Sequence, residues 1–162
     1  PSDLVERMID NLKITNGQTI LEPSAGLGHI AEVVKNTFPE NKLHTVEYNS
    51  SLAEILKLKG FENTNTDFLE FNKKFDRIIM NPPFEKAQDI DHVKHAFDLL
   101  NDGGRIVSIM SAGAFNNSTK KHIDFQTWVD KIGAEYYKLP DQSFKDAFKS
   151  TNVATYLVII DK

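Results

Sequence analysis

The sequence predicts an α/β fold: a doubly wound, mostly parallel sheet in a three-layer α/β/α arrangement, with an antiparallel last strand. Three observations predict it. Apolar spacings of three and four alternate along the chain with short apolar runs, so helices and strands take turns. The small-residue and proline-rich turns fall where strands end. The final two apolar runs have little helical pattern between them, which makes them an antiparallel pair at one side.

Ser2 to Leu12 is the first helix. Leu4, Val5, Met8, Ile9 and Leu12 share one face, Ser2 is its N-cap, and Asn16-Gly17 turns the chain. Gln18 to Leu21 reads as a strand, followed by the turn Pro23-Ser24-Ala25-Gly26-Leu27-Gly28. Ile30 to Phe38 reads as a helix stopped by Pro39, with Ile30, Val33, Val34 and Phe38 inward. Leu43 to Val46 is strand-like and ends at Glu47, and Ser51 to Leu58 is a helix capped by Gly60. A weak strand lies near Asn63 to Thr66. Phe75 to Met80 is a strand that must stop at Pro82-Pro83. Ile90 to Leu100 is an amphipathic helix broken by Asp102-Gly103-Gly104, and Arg105 to Met110 is a strand. Phe125 to Ile132 reads as a helix, and Ala134 to Leu139 with Val153 to Ile160 as the closing pair.

The chain has 162 residues, so 1–162 reads as a single domain large enough to bury a core without disulfides or a structural metal. It has no cysteine, which excludes a thiolate nucleophile, a disulfide scaffold and a Cys-ligated metal site. Its 19 basic and 23 acidic residues give a net charge of -4, against strong nonspecific nucleic-acid affinity but compatible with a local basic surface. The longest apolar run, Val153 to Ile160, is short of a membrane span, and no signal-peptide pattern opens the chain. A cytoplasmic location with no membrane partner is the expectation.

In open parallel sheets, ligands bind beyond the carboxyl ends of the strands. Three segments fall there: Glu22 to Gly28, Glu47-Tyr48, and Asn81 to Phe84. Gly26 and Gly28 let backbone approach a ligand closely. Glu47 follows about twenty residues on, where a carboxylate can accept ribose hydroxyls. Gly26-Leu27-Gly28-His29-Ile30-Ala31 also satisfies the dinucleotide fingerprint. However, Glu22-Pro23 sets a carboxylate at the first turn, which is poor for a pyrophosphate and suits a ligand carrying an ammonium group.

Glu22-Pro23-Ser24-Ala25-Gly26-Leu27-Gly28, together with Asn81-Pro82-Pro83-Phe84, resembles the class I S-adenosylmethionine-dependent methyltransferases. Within them it is most similar to the N6-adenine type of DNA methyltransferase. The resemblance covers essentially the whole chain. It implies a Rossmann-like fold, S-adenosylmethionine as cofactor, DNA as partner and a place in restriction and modification. It implies that Pro1-Ser2 touches the methionine part of the cofactor, and that Glu22, Pro23 and the backbone of Ser24, Ala25, Gly26 and Gly28 line the methionine end. Glu47 then takes the ribose hydroxyls, Tyr48 packs on the adenine, Asp67 accepts from its amino group, and Phe68 packs beside it.

The chemistry of Asn81 to Phe84 follows from the acceptor. An aromatic amine delocalises its lone pair into the ring. The Asn81 side-chain oxygen and the Pro82 carbonyl can accept its two hydrogens, favouring a pyramidal nitrogen aimed at the methyl carbon. Pro82-Pro83 stiffens the loop, and Phe84 offers a flat face to an unstacked base. The same geometry serves RNA guanine N2 or a protein glutamine amide, and a non-catalytic binding subunit would keep the cofactor residues without needing Asn81.

Asp89, Asp91, His92 and His95 read as the polar face of a helix, with no metal expected. Asn116 to His122, including Lys120 and Lys121, reads as a polar loop, either simply solvated or meeting phosphates. Phe144 and Lys145 match the family's variable base-binding region. Family members that read a DNA sequence usually carry a target-recognition domain. None is recognisable within 1–162, so recognition is expected elsewhere in a longer chain or from a partner, or else specificity is low.

Overall fold

The structure, a computed structural model, describes residues 2–140 and 154–162. In chain order the elements are α1 (Ser2–Leu12), β1 (Ile20–Pro23), α2 (His29–Thr37), β2 (Leu43–Val46), α3 (Ser50–Leu58), β3 (Glu62–Thr64), β4 (Phe75–Met80), α4 (Gln88–Asp98), β5 (Leu100–Ser111), α5 (Gly113–Asn116), α6 (Lys120–Ile132), β6 (Glu135–Lys138) and β7 (Thr155–Asp161). Single 3-10 turns lie at Phe68–Glu70 and Glu85–Ala87.

Among the described residues the strands form one sheet in the order β3-β2-β1-β4-β5-β7-β6. The ladders from β3 through β5 are parallel, whereas β7 runs antiparallel to both β5 and β6. The expected doubly wound sheet with an antiparallel last strand is therefore present.

The alternation of side chains builds two cores. Ile78 and Met80 of β4, with Val158 and Ile160 of β7, face Val93 of α4 and Phe125 of α6. Ile79, Leu157 and Ile159, one residue out of phase, face Leu4, Met8 and Leu12 of α1 and Ile30 and Val34 of α2. Period two in the strands and spacings of three and four in the helices together make three layers. Met8 and Leu12 are fully buried, and each such side chain contributes about 1.5–3 kcal/mol. Among the described residues no helix is long and apolar enough to cross a membrane.

Several boundaries differ from the sequence reading; α4, for example, is Gln88–Asp98 rather than Ile90 to Leu100, and three differences change how a segment is read. The first strand is Ile20–Pro23, not Gln18 to Leu21, because Gln18 serves the preceding turn, its Oε1 accepting from the Thr15 N–H at 2.8 Å. Asp102-Gly103-Gly104 does not separate helix from strand. It sits inside β5, where the register with β4 shifts between Phe75 and Arg77, and a Cβ at Gly104 would meet the Asn101 carbonyl at 2.8 Å. Lys120 to His122 is not a loop but the first turn of α6, capped by the Thr119 side chain.

The chain leaves β1 for β2 on one side, and β4 lies on the other. The strand order thus reverses between β1 and β4, and in open parallel sheets the crevice beyond the carboxyl ends at such a point is where ligands bind. Leu21 pairs with Ile78, so the turn after Pro23 and the loop after Met80 leave the sheet side by side.

Candidate functional site

The turn after β1 is held in conformations a side chain seldom takes. Ser24 has φ 54°, Gly26 59° and Gly28 83°. A Cβ at Gly28 would lie 2.8 Å from Leu56 Cδ2, so this position needs glycine for both space and conformation. Ser24 bears the cost of a left-handed non-glycine residue, on the order of 1–3 kcal/mol, which concentrates where function demands a shape.

Glu47 ties this turn to the one after β2. Its Oε1 accepts the Gly26 N–H at 2.8 Å, and its Oε2 accepts the Asn49 N–H at 2.8 Å. It is buried, yet each carboxylate oxygen keeps a second lone pair that a diol can use. Beside it Tyr48 is 74% exposed, with its ring open to a planar group.

Glu22, near the end of β1, is 3% exposed, and among the described residues its Oε1 has no hydrogen-bond partner. Burial holds its carboxyl well above the ordinary carboxylate range. The Ala31 backbone N–H pulls it partly back, and Glu47 pushes it further up. A buried carboxylate with an orphaned oxygen at the mouth of a crevice suits a cationic ligand group. Asp67 is half-buried, and its Oδ1 accepts from the Leu69 N–H at 3.0 Å. Pro23 and Ala25 are buried and shape the wall.

On the other crest, Asn81 is half-buried, and among the described residues its side chain has no hydrogen-bond partner. Pro82 is buried, Pro83 exposed, and Phe84 half-buried against the α1-side core. Lys86 and Ala87 follow with φ 54° and 56°, a tight non-glycine return into α4. Among the described residues no group of three acidic or histidine side chains is placed to hold a metal ion.

Several expected placements change. Phe68 does not lie open beside a ligand ring: it is 2% exposed, packed 5.4 Å from the His92 ring and edge-on to His95 at 5.0 Å. The expected polar face of α4 is partly interior. Asp89 and His92 are buried, because the 3-10 turn at Phe68 and the end of β5 cover that side. Asp89 Oδ2 accepts from the Ser111 N–H at 2.9 Å and the Ser111 hydroxyl at 2.8 Å. Burial raises the Asp89 carboxyl, and the Ser111 bonds partly offset this. Burial lowers His92, against the opposing charges of Asp67 and Asp91. Lys120 is paired with Asp124 at 2.6 Å and Lys121 with Asp91 at 2.7 Å, so both ammoniums already have partners. Pro1, Phe144 and Lys145 lie outside the described residues, and Ser2 opens α1.

Residue-type spacing alone places Asp89 on a solvated face, where it is in fact buried, and misses Asn65. A first-turn aspartate directly after a proline-rich strand end was the available signal for the former. Asn65 carried none, since its partners are backbone carbonyls brought to it by the β2–β3 ladder.

A doubly wound sheet with a reversed β7, an acidic glycine turn on one crest and Asn-Pro-Pro-Phe on the next, defines a Rossmann-like class I methyltransferase domain. The family model of the methyltransferase small domain matches residues 4–123, and the chain belongs to that family. It is 28% identical over 84% of its length to ribosomal RNA small subunit methyltransferase C of Haemophilus ducreyi, covering 38% of that protein. It is 32% identical over 46% of its length to the type II methyltransferase M.AccI of Acinetobacter calcoaceticus, covering 15% of it. The chain thus spans well under half the length of these curated relatives. The structure of geranyl diphosphate C-methyltransferase from Streptomyces coelicolor A3(2), solved with Mg2+, geranyl diphosphate and S-adenosyl-L-homocysteine, shares the fold. Its TM-score is 0.71 at 12% identity, over 99% of this chain and 78% of that one. S-adenosylmethionine is the cofactor that the methyltransferase family defines.

Proposed function

We propose that the chain is a single catalytic domain that transfers a methyl group from S-adenosylmethionine to an exocyclic amino nitrogen, N6 of adenine in DNA. The observation that carries this reading is Asn81. Its amide is partly sheltered and, among the described residues, uncommitted to protein partners, at the end of β4 and one strand from the Glu22–Gly28 turn. A polar group left unpaired at such a place is ready for a ligand.

The cofactor supplies a methyl group already activated on a sulfonium. The protein's task is the amine. Asn81 Oδ1 and the Pro82 carbonyl accept the two amino hydrogens and face the positive charge that develops on nitrogen. Fixed acceptors of this kind are worth about 3 kcal/mol each. Holding amine and methyl in line adds to this. Phe84 supports the base once it leaves its stack. Glu22 faces the cationic end of the cofactor, Glu47 the ribose, and Asp67 the adenine amino group.

A second reading, guanine N2 of RNA, is favoured by the similarity to the ribosomal RNA methyltransferase over most of the chain. The two separate in one assay. The protein is incubated with methyl-labelled cofactor and either genomic DNA or total RNA, and the labelled nucleoside is identified by mass spectrometry. N6-methyldeoxyadenosine that disappears with Asn81→Ala supports the first reading. Label confined to RNA guanine supports the second. Label in neither, with cofactor still bound, overturns both acceptors.

A further inference from the structure

We infer that Asn65 is a positioning residue for the adenosine end of the cofactor site, acting through the backbone of Glu47 and Tyr48. The inference rests on reading that turn as the place where ribose and adenine bind.

Asn65 follows β3 directly and lies beside the turn that follows β2. Its Nδ2 donates to the Glu47 carbonyl at 2.9 Å and to the Tyr48 carbonyl at 2.9 Å. Its Oδ1 accepts from the Ser50 hydroxyl at 3.1 Å. Both amide hydrogens are therefore used on consecutive carbonyls, and the oxygen is held from the other side. This fixes which way the amide faces. An aspartate has the same shape but no hydrogen to donate, so it would set a charge against two carbonyl oxygens.

Consecutive carbonyls held by one amide stop the Glu47–Tyr48 peptide from rotating. The Glu47 N–H adds a third point, donating to the Thr64 carbonyl at 3.1 Å. The backbone of Glu47 is thus held by residues around the end of β3. Its carboxylate meanwhile holds Gly26 and Asn49. Asn65 touches neither ribose nor ring in this reading. It sets where the Glu47 carboxylate and the exposed Tyr48 ring can stand.

The test is calorimetric titration with S-adenosyl-L-homocysteine, which needs no acceptor. Wild type is compared with Asn65→Asp, Asn65→Ala, Glu47→Gln and the double variant Glu47→Gln/Asn65→Ala, each with its melting temperature recorded. Losing two hydrogen bonds at this turn should weaken binding about tenfold in either Asn65 variant. In the Glu47→Gln background the Asn65→Ala effect should shrink to about twofold, since contacts acting through one group are not additive. Binding by the single Asn65 variants within about twofold of wild type overturns the inference. So does an Asn65→Ala effect that persists undiminished beside Glu47→Gln and follows a lowered melting temperature, which would mark a purely structural role. If wild type itself fails to bind, the cofactor reading falls and takes this inference with it.

Discussion

The two crests of the crevice are prepared in opposite ways. On the β1–β2 side, Glu47 is tied to two backbone amides and Asn65 to two backbone carbonyls. On the β4 side, the loop is anchored from behind by Asp89 on Ser111, but Asn81 itself is left uncommitted. On the proposed reading the difference separates binding from chemistry. A site that must recognise a complete cofactor gains from being shaped beforehand. A group that must respond to charge appearing on an amine has to keep its acceptor free.

The sharpest way to break this comparison is Asn81→Ala. Transfer should fall by about a hundredfold to a thousandfold, as when one fixed partner of a developing charge is removed. S-adenosyl-L-homocysteine affinity should stay within about threefold. Single-turnover transfer and calorimetry read the two quantities, and a joint collapse would mean the crests are not independent.

Next comes Asp89→Ala. It leaves the Ser111 N–H and hydroxyl without their acceptor in a closed environment, at a cost of about 2 kcal/mol. Urea unfolding should show that loss. Transfer should slow while cofactor affinity holds, because the bonds lie behind the β4 loop rather than beside the glycine turn.

Glu22→Gln tests the other crest and should act in two directions. The folded carboxyl titrates above its ordinary value of 4.5. The folded state thus holds its proton to higher pH than the unfolded state does. Its stabilising contribution is fully present below 4.5 and is lost as pH rises through the folded value. The amide variant should therefore unfold at higher urea concentration than wild type near pH 8, with the gap closing toward pH 4.5. On the proposed reading S-adenosylmethionine should nevertheless bind it more weakly wherever the wild-type Glu22 is ionised, since the cationic end then loses its counter-charge.

The smallest effect is expected for Lys121→Ala. Its pair with Asp91 is about half exposed on both sides, so stability should change by less than about 0.5 kcal/mol. A large loss of stability there would show that the α4–α6 contact supports the β4 crest more than its burial suggests.

The residues the sequence made legible are those whose meaning is local. The placement of Gly26 and Gly28 in a turn, and of Glu47 and Asn81-Pro82-Pro83-Phe84 at strand ends, can be read within a few positions, because turns and strand ends are set by short-range sterics. The alternating periods likewise exposed the layered sheet. Phe68, Asp89 and His92 were misjudged because packing between distant elements decides which face of α4 is interior. Gly103-Gly104 looked like a break because a bulge within a strand and a helix stop use the same residues. Asn65 was invisible because its role exists only once β2 and β3 lie in register.

The shared carboxylate of Glu47 has one more consequence. The Gly26 and Asn49 amides are immobilised in the protein itself, so the ordering entropy of both turns belongs to folding and not to cofactor association. A cofactor and its spent product then meet the same stiff contour. On the proposed reading, discrimination between the two then falls to the side chains around the sulfur rather than to any reshaping of these turns.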